Sequence, residues 1–106
     1  MEKSIFIYVT MPSEQVALQI SEVLLEERLI ACANIYQMQS VYRWKGKVEQ
    51  EPEHVLVGKT REAHYPTLCE RITRLHPYEV PCIAKLPVAF NPAFGAWVQE
   101  ETEAQK

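Results

Sequence analysis

The chain has 106 residues, of which 47% are apolar, so its size suits one domain with a modest hydrophobic core. Its 11 basic and 14 acidic residues give a formal net charge of −3 and form no basic run, which argues against nucleic acid as a partner. We find no stretch of about 18 apolar residues and no signal-peptide core, so we expect an unexported protein with no membrane partner.

The residue types exclude several kinds of metal and cofactor site. The cysteines, Cys32, Cys69 and Cys82, have no C-x-x-C spacing, which favours a reducing cytoplasm over a disulfide framework or a zinc knuckle. The chain contains no Asp, which excludes EF-hand loops and Asp-dependent magnesium sites. Its few glycines are too far apart for a phosphate-binding loop, so we expect no nucleotide or organic cofactor.

The first predicted elements are a strand and a helix. Residues 3–10 place apolar side chains on both faces, which predicts a strand that is covered on both sides. Pro12 and Ser13 then begin a helix whose apolar residues recur every three or four positions.

A long hairpin follows. Residues 30–44 are rich in β-branched and aromatic side chains without helical periodicity, which predicts an extended second strand. Lys45-Gly46 offers a tight turn, and residues 48–59 return as the third strand. Pro52 cannot donate to a strand ladder, so it marks an edge position or a bulge. We expect the tip of the hairpin to project beyond the sheet.

The second half of the chain predicts two helices and a strand. Thr60 is the expected cap of the second helix, with Pro66 in its first turn and His76-Pro77 at its end. Residues 80–88 predict a fourth strand, and Asn91-Pro92 begins a short last helix. The polar tail after Glu100 is expected to fray.

The order β-α-β-β-α-β with a C-terminal helix predicts an α+β, ferredoxin-like split βαβ domain spanning residues 1–106. A sheet of this kind leaves its edges open. The hairpin is too long to be covered by the helices of one protomer, so we expect another subunit against it.

Four motifs in order resemble the CutA family of divalent-cation tolerance proteins: Ala31-Cys32-Ala33-Asn34, Tyr42-x-Trp44-x-Gly46-x-Val48, Lys59-Thr60 and His76-Pro77-Tyr78-x-x-Pro81. The resemblance covers nearly the whole chain. It implies a ferredoxin-like protomer that assembles as a tight homotrimer through the hairpin strands, similar to the trimeric PII signalling proteins. It also implies a cytoplasmic protein that responds to copper or another divalent metal.

The resemblance also implies metal positions. The copper ligands proposed for bacterial members fall here on Val9, Leu75 and His76, so two of the three positions lack a ligand. Cys82 stands where the family tends to have Glu, and a thiolate beside the His76 imidazole would suit Cu(I) or Zn. His76 has a second interpretation, since a histidine at a helix end can simply bond the last helical carbonyls.

Six polar and aromatic residues occupy strand or loop positions where packing alone predicts aliphatic side chains: Tyr42, Trp44, Glu49, Glu53, Lys59 and Tyr78. They could line an inter-subunit cleft. Alternatively, the aromatic residues only bury area at a subunit contact. For Lys59 we favour an ion pair with Glu53 or Glu79 over an anion site at a helix start.

Two functions follow. The first is a trimeric, metal-responsive binding protein that catalyses no reaction, since the sequence shows no trio of nucleophile, base and orienting group. The second is a PII-like regulator that binds a small anionic metabolite in the inter-subunit clefts and signals to an unidentified protein partner. The second uses Lys59, Trp44 and Tyr78 in the cleft and needs no metal.

Overall fold

The computed structural model describes residues 2–104. Within them, four strands and three α-helices follow the predicted order, and a short 3-10 turn (Glu62–His64) precedes the second helix. The bounds are β1 (Ser4–Met11), α1 (Glu14–Glu26), β2 (Cys32–Trp44), β3 (Lys47–Arg61), α2 (Tyr65–Leu75), β4 (Ile83–Val88) and α3 (Pro92–Glu101). No helix of this part of the chain is long and apolar enough to cross a membrane.

The strands form one antiparallel sheet in the order β2-β3-β1-β4. β3 lies between β1 and β2, so the β1-α1-β2 unit is split by a strand that comes later in the chain. This is the order of the ferredoxin-like sandwich, and the predicted fold class is confirmed.

The two faces of the sheet differ in what covers them. Ile5, Ile7, Val9 and Met11 of β1 are buried in the main core against α1 and α2. The alternate residues point to the opposite side, which we call the open face. The register places on it Phe6, Tyr8 and Thr10 of β1; Tyr36, Met38, Ser40, Tyr42 and Trp44 of β2; Glu49, Glu51, Glu53, Val55, Val57 and Lys59 of β3; and Ala84 and Leu86 of β4.

The hairpin is regular along its whole length. The β2-β3 register runs without a bulge to the pair Trp44 and Lys47, and the two turn residues have positive φ angles, 51° at Lys45 and 82° at Gly46. Two positive φ angles in a two-residue loop are typical of the type I′ turn. Pro52 lies just past the end of β1, whose last partner on β3 is His54, so the edge interpretation of this proline is confirmed.

Two predicted boundaries are wrong for physical reasons. Thr60 does not cap α2 but lies in β3, fully buried, where its hydroxyl donates a 2.7 Å hydrogen bond to the carbonyl oxygen of Leu29. β4 begins only at Ile83, because Pro81 has no N–H for a ladder and Val80 is 70% exposed. The prediction for α2 holds at Pro66, which lies in the first turn.

The C-terminal tail is better ordered than predicted. Thr102 is 1% exposed, and its carbonyl oxygen accepts a 2.8 Å hydrogen bond from Arg61. α3 packs on one end of the open face, where the Phe90 and Phe6 ring centroids are 6.0 Å apart. The expected fraying after Glu100 is therefore wrong as far as Thr102, and residues 105–106 lie outside the described part.

Candidate functional site

A cleft of about 670 Å³ lies where the hairpin, the end of β1 and the loop after α2 meet. Its walls carry two carboxylates and one thiol, from Glu53, Glu79 and Cys82. Four aromatic side chains also line it, from Tyr8, Tyr42, Trp44 and Tyr78. Among the described residues that line it, none is basic, so the cleft has a negative potential that favours cations.

The structure brings together only part of the predicted set of six polar and aromatic residues. Four of the six predicted residues line the cleft together: Tyr42, Trp44, Glu53 and Tyr78. Glu49 pairs with Tyr42 across the hairpin but does not line the cleft. Lys59 is not part of the cleft.

The ammonium of Lys59 lies 5.3 Å from the centroid of the Phe94 ring, at the end of the open face that α3 covers. Within residues 2–104 it forms neither of the predicted ion pairs, with Glu53 or with Glu79. The ion-pair prediction for Lys59 is wrong because the lysine makes a cation–π contact with Phe94 of α3, which is distant in sequence.

Glu53 is the buried carboxylate of the site, with 6% of its surface exposed. The Tyr78 hydroxyl donates a hydrogen bond to its Oε2 atom. Burial, followed by this bond and the Glu53 charge, holds the pKa of Tyr78 well above its usual value. The phenol therefore remains a donor, and the pair fixes the loop after α2 against β3.

A second phenol–carboxylate pair lies further along the hairpin. The Tyr42 hydroxyl donates to Glu51, and this bond, then burial and the neighbouring Glu charges, raises the pKa of Tyr42 to about 12. Glu49, Glu51 and Glu53 alternate along β3 and so share the open face. They extend the negative potential of the cleft toward the hairpin tip.

His76 has no free nitrogen for a metal in this protomer. Its Nε2 atom lies 2.7 Å from the carbonyl oxygen of Thr10, which can only accept, so Nε2 carries the proton. Its Nδ1 atom accepts a 3.1 Å bond from the backbone N–H of Tyr78. The buried neutral ring thus joins β1 to the Tyr78 loop, and its bond goes to a strand carbonyl rather than to the helical carbonyls expected.

The other positions at which the resemblance implies metal ligands do not form a metal site either. Val9 is fully buried in the core, and Leu75 packs against it. Cys82 is exposed at the cleft. Within the described residues, no three His, Cys, Asp or Glu side chains are close enough to hold a metal ion. One protomer therefore supplies ligand types but not a complete site.

Sequence reasoning missed several residues of the cleft, among them Tyr8, Met38 and Glu79. Tyr8 donates to the Met38 sulfur at 3.7 Å, and both lie in the cleft wall with Glu79. Two-residue alternation back from Trp44 and Tyr42 would have found Met38. Nothing in the sequence places Glu79, because it lies in a loop without periodicity.

The Tyr78–Glu53 pair predicts a stability that depends on alkaline pH. An unfolded tyrosine ionises near pH 10, whereas the folded phenol keeps its proton, so the stabilisation is complete below about pH 10 and declines as pH rises further. We expect Tyr78→Phe to lower the free energy of unfolding by about 1–3 kcal/mol at neutral pH, since it leaves Glu53 without a donor. Urea titrations from neutral to alkaline pH should show a shallower decline for this variant, and equal slopes would contradict the assignment.

Comparison with known proteins agrees with this architecture. The family of CutA1 divalent ion tolerance proteins matches residues 5–101. The divalent-cation tolerance protein CutA of Thermus thermophilus is 45% identical over 98 residues, covering 91% of this chain and 95% of that protein. The protein CutA of Mus musculus is 41% identical over 92% of this chain, a match that spans 56% of the mouse protein.

A solved structure gives the same result. The periplasmic divalent cation tolerance protein CutA of Archaeoglobus fulgidus superposes with a TM-score of 0.93 at 35% identity, covering 94% of this chain and 99% of that one. The shared fold and the identity over most of the chain lead to one conclusion. This chain belongs to the CutA1 family of divalent ion tolerance proteins.

Proposed function

We propose that the protein is a homotrimeric, cytoplasmic divalent-cation tolerance protein that binds copper or another divalent cation in clefts between its copies and catalyses no reaction. The observation that carries the proposal is the lining of the cleft. It combines the carboxylates of Glu53 and Glu79 with the thiol of Cys82, and among the described residues it contains no basic side chain. These are oxygen and sulfur ligands that divalent cations accept.

The apolar side chains exposed on the open face support assembly into a homo-oligomer. It leaves Tyr36 55%, Leu86 45% and Trp44 42% exposed, and such large apolar side chains are enriched at protein interfaces. Beyond Met11, the hairpin has no third strand, and a two-stranded ribbon alone is marginally stable. A second copy against this face would cover both features, and the family resemblance implies three copies.

The cleft favours a cation over an anionic metabolite. The runner-up function needs Lys59 in the cleft, but that lysine contacts Phe94 instead. The charged side chains that line the cleft are the carboxylates of Glu53 and Glu79, which repel a phosphate or another carboxylate.

A site completed by a second copy also accounts for the incomplete ligand set of one protomer. Glu53 uses Oε2 to accept from Tyr78, and the described residues give its Oε1 no hydrogen bond. His76 is not assigned a ligand role, because both its nitrogens are bonded.

Two further parts of the proposal have their own support. All three cysteines lie in the described residues and are free, with Cys82 exposed, which suits a reducing compartment. The family is described by ion tolerance rather than by a reaction. Fractionation of host cells tests the location, since the Archaeoglobus protein is described as periplasmic.

Metal titration of carboxylate variants tests the cation site. We expect Glu53→Gln and Glu79→Gln each to weaken the binding of Zn²⁺ or Cu²⁺ to the native assembly by at least about tenfold, since each removes a charged ligand. Glu14→Gln, a matched change on the exposed first turn of α1, should leave the affinity unchanged. Isothermal titration calorimetry measures all three. Equal affinities in all variants would contradict the cleft as the cation site.

A further inference from the structure

The cleft on the open face has more room than one metal ion fills. Its volume of about 670 Å³ falls in the range of about 300–1,000 Å³ that is typical of sites for small organic molecules. Its lining also follows the pattern of such sites, since aromatic and apolar side chains accompany a few polar groups. The metal ligands proposed above, Glu53, Glu79 and Cys82, therefore account for only part of this space.

Aromatic side chains reach this cleft from three separate parts of the fold. Tyr8 lies on β1, and Tyr42 and Trp44 lie two residues apart on the same face of β2. Tyr78 lies in the loop after α2. The topology of the sheet therefore brings four aromatic side chains to one cavity.

The three phenols of the lining use their hydroxyl groups within the protein. Tyr8 donates to the Met38 sulfur at 3.7 Å, and Tyr42 and Tyr78 each donate to a carboxylate of β3. A phenol whose donor is already bonded still offers a ligand the negative face of its ring. A hydrogen bond to a carboxylate polarises the phenol and makes that face more negative.

The indole ring of Trp44 already attracts an ammonium group. The Nζ atom of Lys45, at the tip of the hairpin, lies 5.7 Å from the centroid of this ring. That distance is within the about 6 Å over which cation–π attraction acts, and tryptophan is the aromatic side chain that attracts cations most strongly. Trp44 is 42% exposed in one protomer, so a cation from solution can reach it as well.

We propose that the cleft binds a small quaternary ammonium ion, with its alkyl groups against the rings of Trp44, Tyr42 and Tyr78. The carboxylates of Glu53 and Glu79 supply the negative potential, and none of the described residues of the lining is basic. A quaternary ammonium has no N–H, so aromatic faces and nearby charge satisfy it. A primary ammonium would instead need acceptors for three N–H donors.

This inference deepens the proposed function and rests on it, because both use the same cation-attracting cleft between copies. It adds a second class of ligand, an organic cation that forms no coordinate bond. The aromatic rings, which a metal ion on carboxylates and a thiol leaves unused, are what this ligand requires.

Proton NMR of tetramethylammonium, titrated with the native assembly, tests the inference. We expect saturable binding with an upfield shift of the methyl resonance, because an aromatic ring shields protons that lie over its face. tert-Butanol, a neutral molecule of similar size and shape, should bind at least about fivefold more weakly, since it lacks the charge. Equal affinity for the two molecules, or no shift of the methyl resonance, would overturn the inference.

The two tryptophans of the chain give matched variants. Trp44→Leu should weaken tetramethylammonium binding at least about fivefold, and Trp44→Phe, which keeps a ring, should bind with an intermediate affinity. Trp97→Leu should bind as the native protein does, because Trp97 is similarly exposed, at 40%, but lies on α3 and does not line the cleft. Native affinity in Trp44→Leu would overturn the proposal. The comparison of the two probes needs only the native protein, so it decides the question even if Trp44→Leu does not assemble.

Zinc titration of the same native protein separates this inference from the proposed function. We expect both Zn²⁺ and tetramethylammonium to bind. Binding of Zn²⁺ without tetramethylammonium would overturn the quaternary ammonium site and leave the metal site standing. Binding of tetramethylammonium without Zn²⁺ would support the inference and contradict the metal site alone.

Discussion

Gly58→Ala is expected to lower the free energy of unfolding by about 3 kcal/mol, because this position has no room for a side chain. Gly58 lies in β3, on the face that packs against the helices. A Cβ atom built there would lie 2.7 Å from Cγ1 of Ile7 and 3.2 Å from Cγ2 of Ile30. Both neighbours are buried core residues, so neither can move without disturbing the packing around it.

Gly95→Ala is the matched control for this prediction. Gly95 lies inside α3, where a new Cβ atom would meet Phe90 at an ordinary 3.6 Å. Alanine favours helix over glycine by about 1 kcal/mol, so this variant should be as stable as the native protein or more so. Thermal unfolding at one fixed protein concentration measures both, and equal melting temperatures for the two variants would contradict the packing at Gly58.

Tyr36→Glu is expected to separate the copies of the assembly. Tyr36 lies on the open face opposite Val55, and 55% of its surface is exposed in one protomer. If this face is covered by a second copy, the variant buries an unpaired carboxylate, which costs about 3 kcal/mol or more. That cost corresponds to more than a hundredfold in the association constant. Analytical ultracentrifugation should therefore show a monomer at micromolar concentration where the native protein sediments as a trimer.

Leu18→Glu is the control for location. Leu18 is comparably exposed, at 46%, but it lies on α1, which covers the other side of the sheet. Its replacement should leave the trimer intact. Loss of the trimer in both variants, or in neither, would contradict the open face as the subunit contact.

The local rules of the sequence predicted most of the fold. Alternation identified β1, the three- and four-residue spacing identified α1, and Lys45-Gly46 identified the hairpin turn. The failures occurred where contacts distant in sequence decide the structure. Thr60 resembles a helix cap, but the carbonyl of Leu29 holds its hydroxyl within β3. The polar tail looked frayed, yet Arg61 anchors it through Thr102.

The site was predicted less completely. Tyr42, Trp44, Glu53 and Tyr78 were selected from their residue types, and the structure places them in one cleft. Their hydrogen bonds could not be predicted, because they depend on how the loop after α2 lies against β3. For the same reason His76 was open to two interpretations until its bonds to the Thr10 carbonyl and the Tyr78 N–H were known.

Native mass spectrometry of the protein with Zn²⁺ tests the central claim most directly, since one spectrum reports both the number of copies and the bound metal. We predict a trimer that retains about one Zn²⁺ per cleft, and a Glu53→Gln trimer that retains none under the same conditions. A native protein that is monomeric, or a trimer whose zinc content is unaffected by Glu53→Gln, would contradict a cation site built from the acidic cleft between copies.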